Sequence, residues 1–303
     1  MLAIALLLDA IFGEPDWLWR RLPHPAVLMG RAVDLVERKS NVGDWRYVKG
    51  AAAVALLILL TLVITVPLSW SGFYGAFEVV GAAILLAQRS LSQHVNAVAS
   101  GLKISLEEAR KRVAMIVGRD PETLDESGVA RAAIESAAEN WSDGVIAPAF
   151  WFLVAGLPGI AVYKMVNTAD SMIGHRSPRY VQFGWAAARL DDALNWIPAR
   201  LSGLLICLIG GRRPALKIMW RDARKHKSPN AGWPESALAA TLRIAVAGPR
   251  VYDGVTTDDP FLNAEGRRKL TPVDVNDAMT TLWMAWTVLL VIATIYGVLS
   301  FAF

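Results

Sequence analysis

Acidic, amide and basic side chains are concentrated between Ala130 and Arg200, on both sides of an apolar segment fit to lie in a membrane. Lipid penalises so many polar groups unless they line a cavity or take part in chemistry. Carboxylate and amide oxygens suit Mg²⁺, which commonly bridges protein carboxylates to substrate phosphates. Lysine and arginine beside them suit the phosphates themselves. This segment therefore predicts chemistry on a phosphate-bearing substrate.

The polar residues form three groups, one before the apolar segment and two after it. Their members are Arg131, Glu135, Glu139, Asn140 and Asp143; Lys164, Asn167, Asp170 and Ser171; and Arg189, Asp191, Asp192, Asn195 and Arg200. In the first group, four charged residues recur every four positions, which places them on one helix face if the helix runs to Asp143. The alternative is an ion pair between Arg131 and Glu135 on a solvated face. No single pair is specific, but the three groups together indicate a site.

Two histidines outside these groups are candidates for substrate binding. His24 stands between two prolines in LPHPAVLMG, and His226 opens HKSPNAGWPES, a segment of turn residues that also carries Asn230. Each could equally be a structural residue of a turn. We predict that the loops from Gly13 to Gly30 and from His226 to Gly232 form walls of the site. His94 and His175 are isolated and are not expected to bind metal.

The composition is that of a multi-pass membrane protein. Hydrophobic residues make up 54% of the 303 residues, and the mean hydropathy is +0.36. Two uncharged runs, Gly50 to Trp70 and Met279 to Phe303, reach the roughly 20 residues that cross a ~30 Å hydrocarbon core. Phe73 to Ala87 is a shorter apolar run that carries Glu78, and it is predicted to form a helical hairpin with the first span.

Two further apolar segments are expected to be broken or re-entrant helices. Val145 to Tyr163 is long enough to cross but contains prolines and glycines, while Leu201 to Gly211 is too short to cross unaided. The first residues, MLAIALLLDAIFGEPDW, lack a basic start and a small-residue cleavage site, so they are interpreted as a retained helix. Ser105 to Arg119 begins with a capping-box pattern, Ser105 with Glu108, and predicts an amphipathic cytoplasmic helix.

Lysine and arginine counts indicate the topology, because these residues accumulate on the cytoplasmic side of short loops. Gly13 to Lys49 and Arg89 to Gly144 contain seven each, and Arg212 to Ala278 contains twelve. All three segments are predicted to face the cytoplasm, and the protein is predicted to lie in the cell membrane. Lys164 to Arg200 contains five, and its side depends on whether the segment before it crosses.

Several functional classes are disfavoured by what the sequence contains. Cys207 is the single cysteine, which excludes a disulfide framework and a thiolate metal site. The basic pI near 9.3 is explained by cytoplasmic loops, so nucleic-acid binding is not expected. Neither a GxxxxGK[ST] phosphate loop nor a dinucleotide fingerprint occurs, so any nucleotide must be held by another architecture.

A set of motifs resembles the CobD/CbiB family, the adenosylcobinamide-phosphate synthases of cobalamin biosynthesis, nearly end to end. The motifs are LLLDAIFGEPDW, PHPAVLMG, GRD, AAIESAAENWSDGVIAPAFW, GLPGIAVYKMVNTADSMIGH, FGWAAARLDDALNWIPARL, HKSPNAGWPESALAATL and GPRVYDG. One mild departure is NTADSM, where the family would have NTLDSM. The resemblance implies a membrane amide ligase that joins adenosylcobyric acid, through its free carboxylate, to aminopropanol O-phosphate or aminopropanol, using ATP.

This chemistry can be assigned to the polar groups as predictions. Catalytic roles are predicted for Glu135, Glu139, Lys164, Asp170 and Asp192. Mg²⁺ ligation is predicted for Asp143, Asp170, Asp191 and Asp192. Substrate binding is predicted for His24, Asn140, Asn167, Arg189, Asn195, Arg200, His226 and Asn230. The carboxylates would also supply the base that deprotonates the amine, and the cationic residues would bind phosphate.

The fold expected is an all-α polytopic membrane protein with four or five membrane segments and cytoplasmic helices, organised as one domain over residues 1–303. Helices are the open-chain solution for backbone groups in lipid, and no segment alternates as a barrel strand would. Two other functions fit the spacing alone. An intramembrane prenyltransferase also places Asp and Asn clusters over Mg²⁺ and a diphosphate. A transporter also has polar residues in broken helices, although no repeated half is found.

Overall fold

The structure is a computed structural model that describes residues 1–71, 75–118, 120–211, 213–252 and 255–302. Five parts of the sequence predictions lie outside these residues. They are residues 72–74 of the predicted hairpin, Arg119 of the GRD motif, Arg212, Asp253 and Gly254 of GPRVYDG, and Phe303.

Most of the described chain is helical, which confirms the all-α prediction. The helices are α1 (Leu2–Phe12), α2 (Asp16–Trp19), α3 (Pro25–Ser40), α4 (Arg46–Trp70), α5 (Ala76–Leu85), α6 (Gln88–Ile104), α7 (Leu106–Val113), α8 (Glu126–Trp141), α9 (Ala147–Ile173), α10 (Trp185–Leu194), α11 (Trp196–Ile209), α12 (Arg213–Asp222), α13 (Gly232–Leu242) and α14 (Pro272–Ala302). A π-helical turn, Ser142–Ile146, joins α8 to α9, and 3₁₀ turns form at Pro121–Thr123 and Ala223–Lys225. Four short strands pair antiparallel, β1 (Val246–Ala247) with β4 (Phe261–Leu262) and β2 (Arg250–Tyr252) with β3 (Val255–Thr257).

Contacts divide the chain into two compact units. Unit 1 comprises Met1–Ala87, Ala147–Trp196 and Gly297–Phe303, and unit 2 comprises Gln88–Ile146 and Ile197–Tyr296. The prediction of one domain over residues 1–303 stays a prediction.

In unit 1, α3, α4, α9 and α10 pack around one apolar cluster. Val33, Leu57, Met165 and Phe183 are among its buried members. Close backbone approach is part of this packing, because a Cβ added at Gly50 would lie 1.9 Å from the Phe183 carbonyl oxygen. Only glycine therefore fits where α4 meets the chain before α10, and the core positions the polar residues of α9 and α10 beside one another.

Helix α9 is broken inside its apolar part, as its prolines and glycines predict. Ala155 and Gly156 have non-helical backbone angles, with Gly156 at φ +60, where glycine is favoured. The break leaves the Leu157 amide without its helical acceptor, and the Glu78 carboxylate of α5 accepts it at 2.6 Å. The Ser69 hydroxyl of α4 also donates to Glu78. A carboxylate inside an apolar hairpin is thus explained as the cap of a half-helix.

In unit 2, α6 packs against α7 and α8, and α13 packs against α8 and α12. Trp141 at the end of α8 is fully buried and donates to Gln88 of α6 at 3.0 Å. The buried Asp222 at the end of α12 accepts from Arg221, Lys225 and the Asn263 amide. These cationic and amide partners hold the pKa of Asp222 below its usual range, against the burial that raises it. This carboxylate links α12 to the chain that follows β4.

Three helices within the described residues are long and apolar enough to cross a membrane, or four if the pair α10 and α11, bent by 44°, makes one broken span. They are Arg46–Trp70, Glu126–Ile173 and Pro272–Ser300. Both uncharged spans predicted from the sequence are therefore present. The predicted helix over Phe73 to Ala87 is only Ala76–Leu85, which at about 15 Å is too short to cross.

Two element boundaries differ from the predictions. The segment from Gly13 to Gly30 is not a loop throughout, since Pro25 begins helix α3 and is well suited to a first helical position. The helix after Ser105 ends at Val113 rather than running on to Arg119. Its start is as predicted, because the Ser105 hydroxyl accepts from the Glu108 amide at 3.1 Å.

Candidate functional site

A polar cluster in unit 1 is centred on the Asp191 side chain, on the second half of α10. Asp191 is buried, and each of its carboxylate oxygens accepts an amide N–H, from Asn167 at 3.2 Å and from Asn195 at 3.0 Å. The fully buried Tyr163 donates its hydroxyl to Asn195 at 2.9 Å. Helix α9 supplies Tyr163 and Asn167 one turn apart, while α10 and the residue after it supply the others. Residues of the second and third sequence groups therefore meet at Asp191.

Charged residues surround this cluster. Asp170 and Asp192 both lie within electrostatic reach of Asp191. Arg189 contacts Asp192 at 3.4 Å, and both side chains are partly exposed. Lys164 lies on α9, one turn before Thr168. The Thr168 hydroxyl donates to the Lys164 carbonyl oxygen at 2.7 Å. The cluster thus combines a fixed, buried carboxylate with accessible acids and cations.

The donor set of this cluster fits a hard cation such as Mg²⁺. Carboxylate and amide oxygens are its preferred ligands, and Mg²⁺ usually keeps several waters and takes only one or two carboxylates. Among the residues that the structure describes, no group of three His, Cys, Asp or Glu side chains is arranged to hold a metal ion. Both oxygens of Asp191 are engaged by amides, and Asp192 contacts Arg189.

His24 is the N-cap of α3. Its Nδ1 accepts the Ala26 amide at 3.1 Å, and its ring packs edge-on against Trp19 at 4.5 Å. Burial is the largest influence on this histidine and lowers its pKa, so the neutral ring that can accept this bond is favoured. The structural role considered from the sequence is therefore present, and the predicted role in substrate binding stays a prediction.

In unit 2, helix α8 carries the first sequence group in mixed surroundings. Glu135 is buried and accepts the amide of Ala247 at 2.7 Å, and the φ of +58 at Ala247 is unusual for alanine. Arg131 donates to the Arg268 carbonyl oxygen at 2.7 Å, and Asn140 donates to the Ser136 carbonyl oxygen at 2.9 Å. Glu139 is exposed. The bonds of Glu135 and Arg131 tie α8 to the strands and loops that follow α13.

The prediction that Arg131, Glu135, Glu139 and Asp143 share one helix face depended on an α-helix that runs to Asp143, and this condition is not met. Helix α8 ends at Trp141, and Asp143 lies in the π-helical turn that follows. Asp143 also lies in unit 2, whereas Asp170, Asp191 and Asp192, the other predicted metal ligands, lie in unit 1.

A second polar cluster in unit 2 surrounds Arg200 and the loop after α12. The Arg200 guanidinium stacks on the Trp233 ring at 4.5 Å and contacts the Asn230 side-chain oxygen at 3.4 Å. His226 accepts the Ser228 amide at Nδ1, and its Nε2 lies 3.6 Å from the buried Glu235. The structure thus brings Arg200, His226 and Asn230 into one region.

Three residues of these clusters were not singled out from the sequence. They are Tyr163, Trp233 and Glu235, which look like ordinary core or anchor residues until their partners are known. Trp233 and Glu235 belong to the HKSPNAGWPESALAATL motif. The predicted site residues divide between the units. His24, Lys164, Asn167, Asp170, Arg189, Asp191, Asp192 and Asn195 belong to unit 1; Glu135, Glu139, Asn140, Asp143, Arg200, His226 and Asn230 belong to unit 2.

Comparisons with known proteins agree with the motifs. The family model described as CobD/Cbib protein matches residues 2–282. A cobalamin biosynthesis protein CobD from Brucella suis is 52% identical, over 93% of this chain and 92% of the relative. The CobD proteins of Sinorhizobium fredii and Rhizobium meliloti are 47% and 48% identical, each over 95% of this chain and 94% of the relative. No solved structure matches.

Proposed function

The chain belongs to the CobD/CbiB family, and from this premise we propose that it is an enzyme of cobalamin biosynthesis that forms an amide bond. The proposed substrates are adenosylcobyric acid, which offers one free propionate carboxylate, and aminopropanol O-phosphate or aminopropanol. ATP would supply the free energy. The observation that carries this proposal is the cluster of Asp191, Asn167 and Asn195 with Asp170 and Asp192 beside it.

Amide formation from a carboxylate needs activation, because a carboxylate at neutral pH resists attack by an amine. In the proposed sequence the propionate oxygen attacks the γ-phosphorus of ATP, and ADP leaves. The amine nitrogen then attacks the acyl carbon, phosphate leaves, and a carboxylate of the protein takes the proton from nitrogen. Charge builds up on the phosphoryl oxygens in the first step, and cations placed beside them would stabilise it.

Residues of unit 1 are assigned to the phosphoryl side of this reaction. Asp170 and Asp192 would hold Mg²⁺, which would offset negative charge on the nucleotide phosphates when bound. Lys164 and Arg189 would bind the phosphates directly. Asp191 has both oxygens engaged by amides, so we assign it to orienting Asn167 and Asn195 rather than to proton transfer.

Residues of unit 2 are assigned to substrate binding and to proton transfer. The Arg200 guanidinium lies over the Trp233 ring and contacts Asn230, an arrangement that holds this cationic group in place. We assign Arg200, Asn230 and His226 to substrate binding, including the phosphate of aminopropanol O-phosphate. Glu139, exposed on α8, is the candidate base of this unit, with Asn140 beside it to orient substrate.

The chain is a membrane protein by the length and apolar character of its candidate spans. We further propose that it lies in the cell membrane with its site facing the cytoplasm, where ATP is found. The basic segments that flank the α4 and α5 pair support this orientation.

The test is ligation by purified, detergent-solubilised protein supplied with adenosylcobyric acid, aminopropanol O-phosphate, ATP and Mg²⁺. The corrinoid product is identified by mass, and ADP is measured in parallel. We expect one ADP per amide formed and no product without ATP or Mg²⁺. Aminopropanol is tested in a second reaction to establish which amine is used. Turnover of a prenyl diphosphate without ATP, in protein that forms no amide, would support the prenyltransferase alternative instead.

A further inference from the structure

An apolar groove of about 570 Å³ lies in unit 1 between α3, α4, α5 and α9. Thr61 and Thr65 are the polar residues among those lining it, and each hydroxyl already donates to the carbonyl oxygen four residues earlier, at 2.8 Å. The groove therefore offers a ligand almost no hydrogen bonds. A corrinoid or a nucleotide, with many polar groups, would lose its bonds to water there without replacement. The lining suits a hydrocarbon chain.

The wall of the groove on α4 has the length of one membrane leaflet. Its wall on α4 runs from Leu57 to Leu68, a rise of about 16 Å, which is half of the ~30 Å hydrocarbon core. Leu68 lies two residues before Trp70, which ends the helix and is 84% exposed. Tryptophan at the end of a span marks the membrane interface. The groove therefore runs from this interface to the middle of the bilayer.

The rim of the groove is continuous with the lipid-facing surface of α4. Leu60 and Ile64 line the groove and are 46% and 63% exposed. Their neighbours Leu56 and Val63 do not line it and are exposed to the same extents, 46% and 63%. The lipid that covers Leu56 and Val63 must therefore also cover Leu60 and Ile64. We propose that this groove binds one acyl chain of a membrane lipid as an ordered ligand, from the leaflet on the side of Trp70.

Photochemical labelling in nanodiscs tests this proposal with the full chain. The probe is phosphatidylglycerol with a diazirine at the middle of one acyl chain, and mass spectrometry locates the labelled residues. We expect labels concentrated on the inner wall, at Thr61, Thr65 and Ala161. Leu60→Trp or Ile64→Trp places an indole in the groove and should lower this labelling about tenfold, the effect of losing two methylene contacts.

Leu56→Trp and Val63→Trp are the matched controls, and they should leave the labelling of the inner wall unchanged. Thr65→Val keeps the shape and removes the hydroxyl, so labelling should persist with an acyl ligand. Labels spread evenly around α4 would overturn the proposal. So would an equal loss of inner-wall labelling in the control variants, or a loss of that labelling in Thr65→Val. Displacement of the lipid by adenosylcobyric acid would also overturn it, because the groove would then belong to the substrate. The readout does not depend on ligase activity.

Discussion

Two buried carboxylates, one in each unit, are bonded in opposite ways. In unit 1, Asp191 is bonded by side chains, the amides of Asn167 and Asn195. In unit 2, Glu135 is bonded by backbone, the Ala247 amide. A side chain that satisfies backbone is explained by the fold alone, whereas a network of side chains costs stability unless it is fully satisfied, and it fixes groups in space. The contrast makes the Asp191 cluster the stronger candidate for chemistry and gives Glu135 a structural contact with Ala247.

The largest expected effect separates the units by activity. Asp170→Asn or Asp192→Asn should reduce ligation about 100-fold or more, the usual contribution of a positioned acid, base or ligand. Neither variant should lose its fold, because both side chains are partly exposed. The measurement is kcat with Mg²⁺ varied, together with thermal unfolding in detergent. Asp34→Asn, an exposed carboxylate of unit 1 that pairs with Arg38, is the control and should retain activity. Full activity in a site variant would remove that residue from the proposal.

The next effect should appear in stability instead. Glu135→Ala leaves the buried Ala247 amide without its acceptor, which should cost about 1–3 kcal/mol of unfolding free energy. Glu139→Ala, one turn away and exposed, should cost little. Thermal unfolding and limited proteolysis of α8 measure the difference. If Glu135→Ala unfolds like the parent protein but loses ligation, Glu135 is catalytic as predicted from the sequence, and the contrast between the units fails.

A third prediction separates the two roles of His24. His24→Ala removes the cap of α3, at a cost of about 1 kcal/mol, and any contact with substrate. His24→Asn restores an acceptor for the Ala26 amide but not the ring. If His24 also binds the corrinoid, the Asn variant recovers stability while its KM for adenosylcobyric acid stays raised. Recovery of both would show that capping is its whole role, and KM measurements with unfolding curves decide between them.

The smallest expected effect is a pH dependence in unit 1. Glu37 is buried and bonded by Arg179 at 2.9 Å and 3.0 Å, and these bonds hold the pKa of Glu37 below its usual range. A carboxylate whose pKa is lower in the folded than in the unfolded protein stabilises the fold at pH values above the ordinary Glu pKa of about 4.3. This stabilisation is lost as the pH falls through the lowered pKa. Glu37→Gln should therefore flatten the loss of thermal stability below about pH 4.3. If Glu37→Gln loses thermal stability at acid pH as the parent protein does, other carboxylates control the acid dependence of stability.

Hydropathy and helix-end signals were sufficient for the spans and several boundaries. Helix α4 follows from an uncharged apolar run, the break in α9 from its prolines and glycines, and the start of α7 from Ser105. The π turn after Trp141 could not be predicted, because α and π turns differ in hydrogen-bond register rather than in composition. The meeting of Asn167 and Asp191 was expected only in outline. Tyr163 was missed because a tyrosine in an apolar helix gives no sign of a distant partner.

The cap on the broken helix bears on how the chain enters the membrane. Glu78 precedes Leu157 by 79 residues, so the acceptor is synthesised before the amide that it will bind. An amide at a helix break carries a desolvation cost in hydrocarbon until it finds a partner. Because α5 is made first, its carboxylate can meet the second half of α9 as that half emerges. The order of synthesis thus matches the order in which these two segments must assemble.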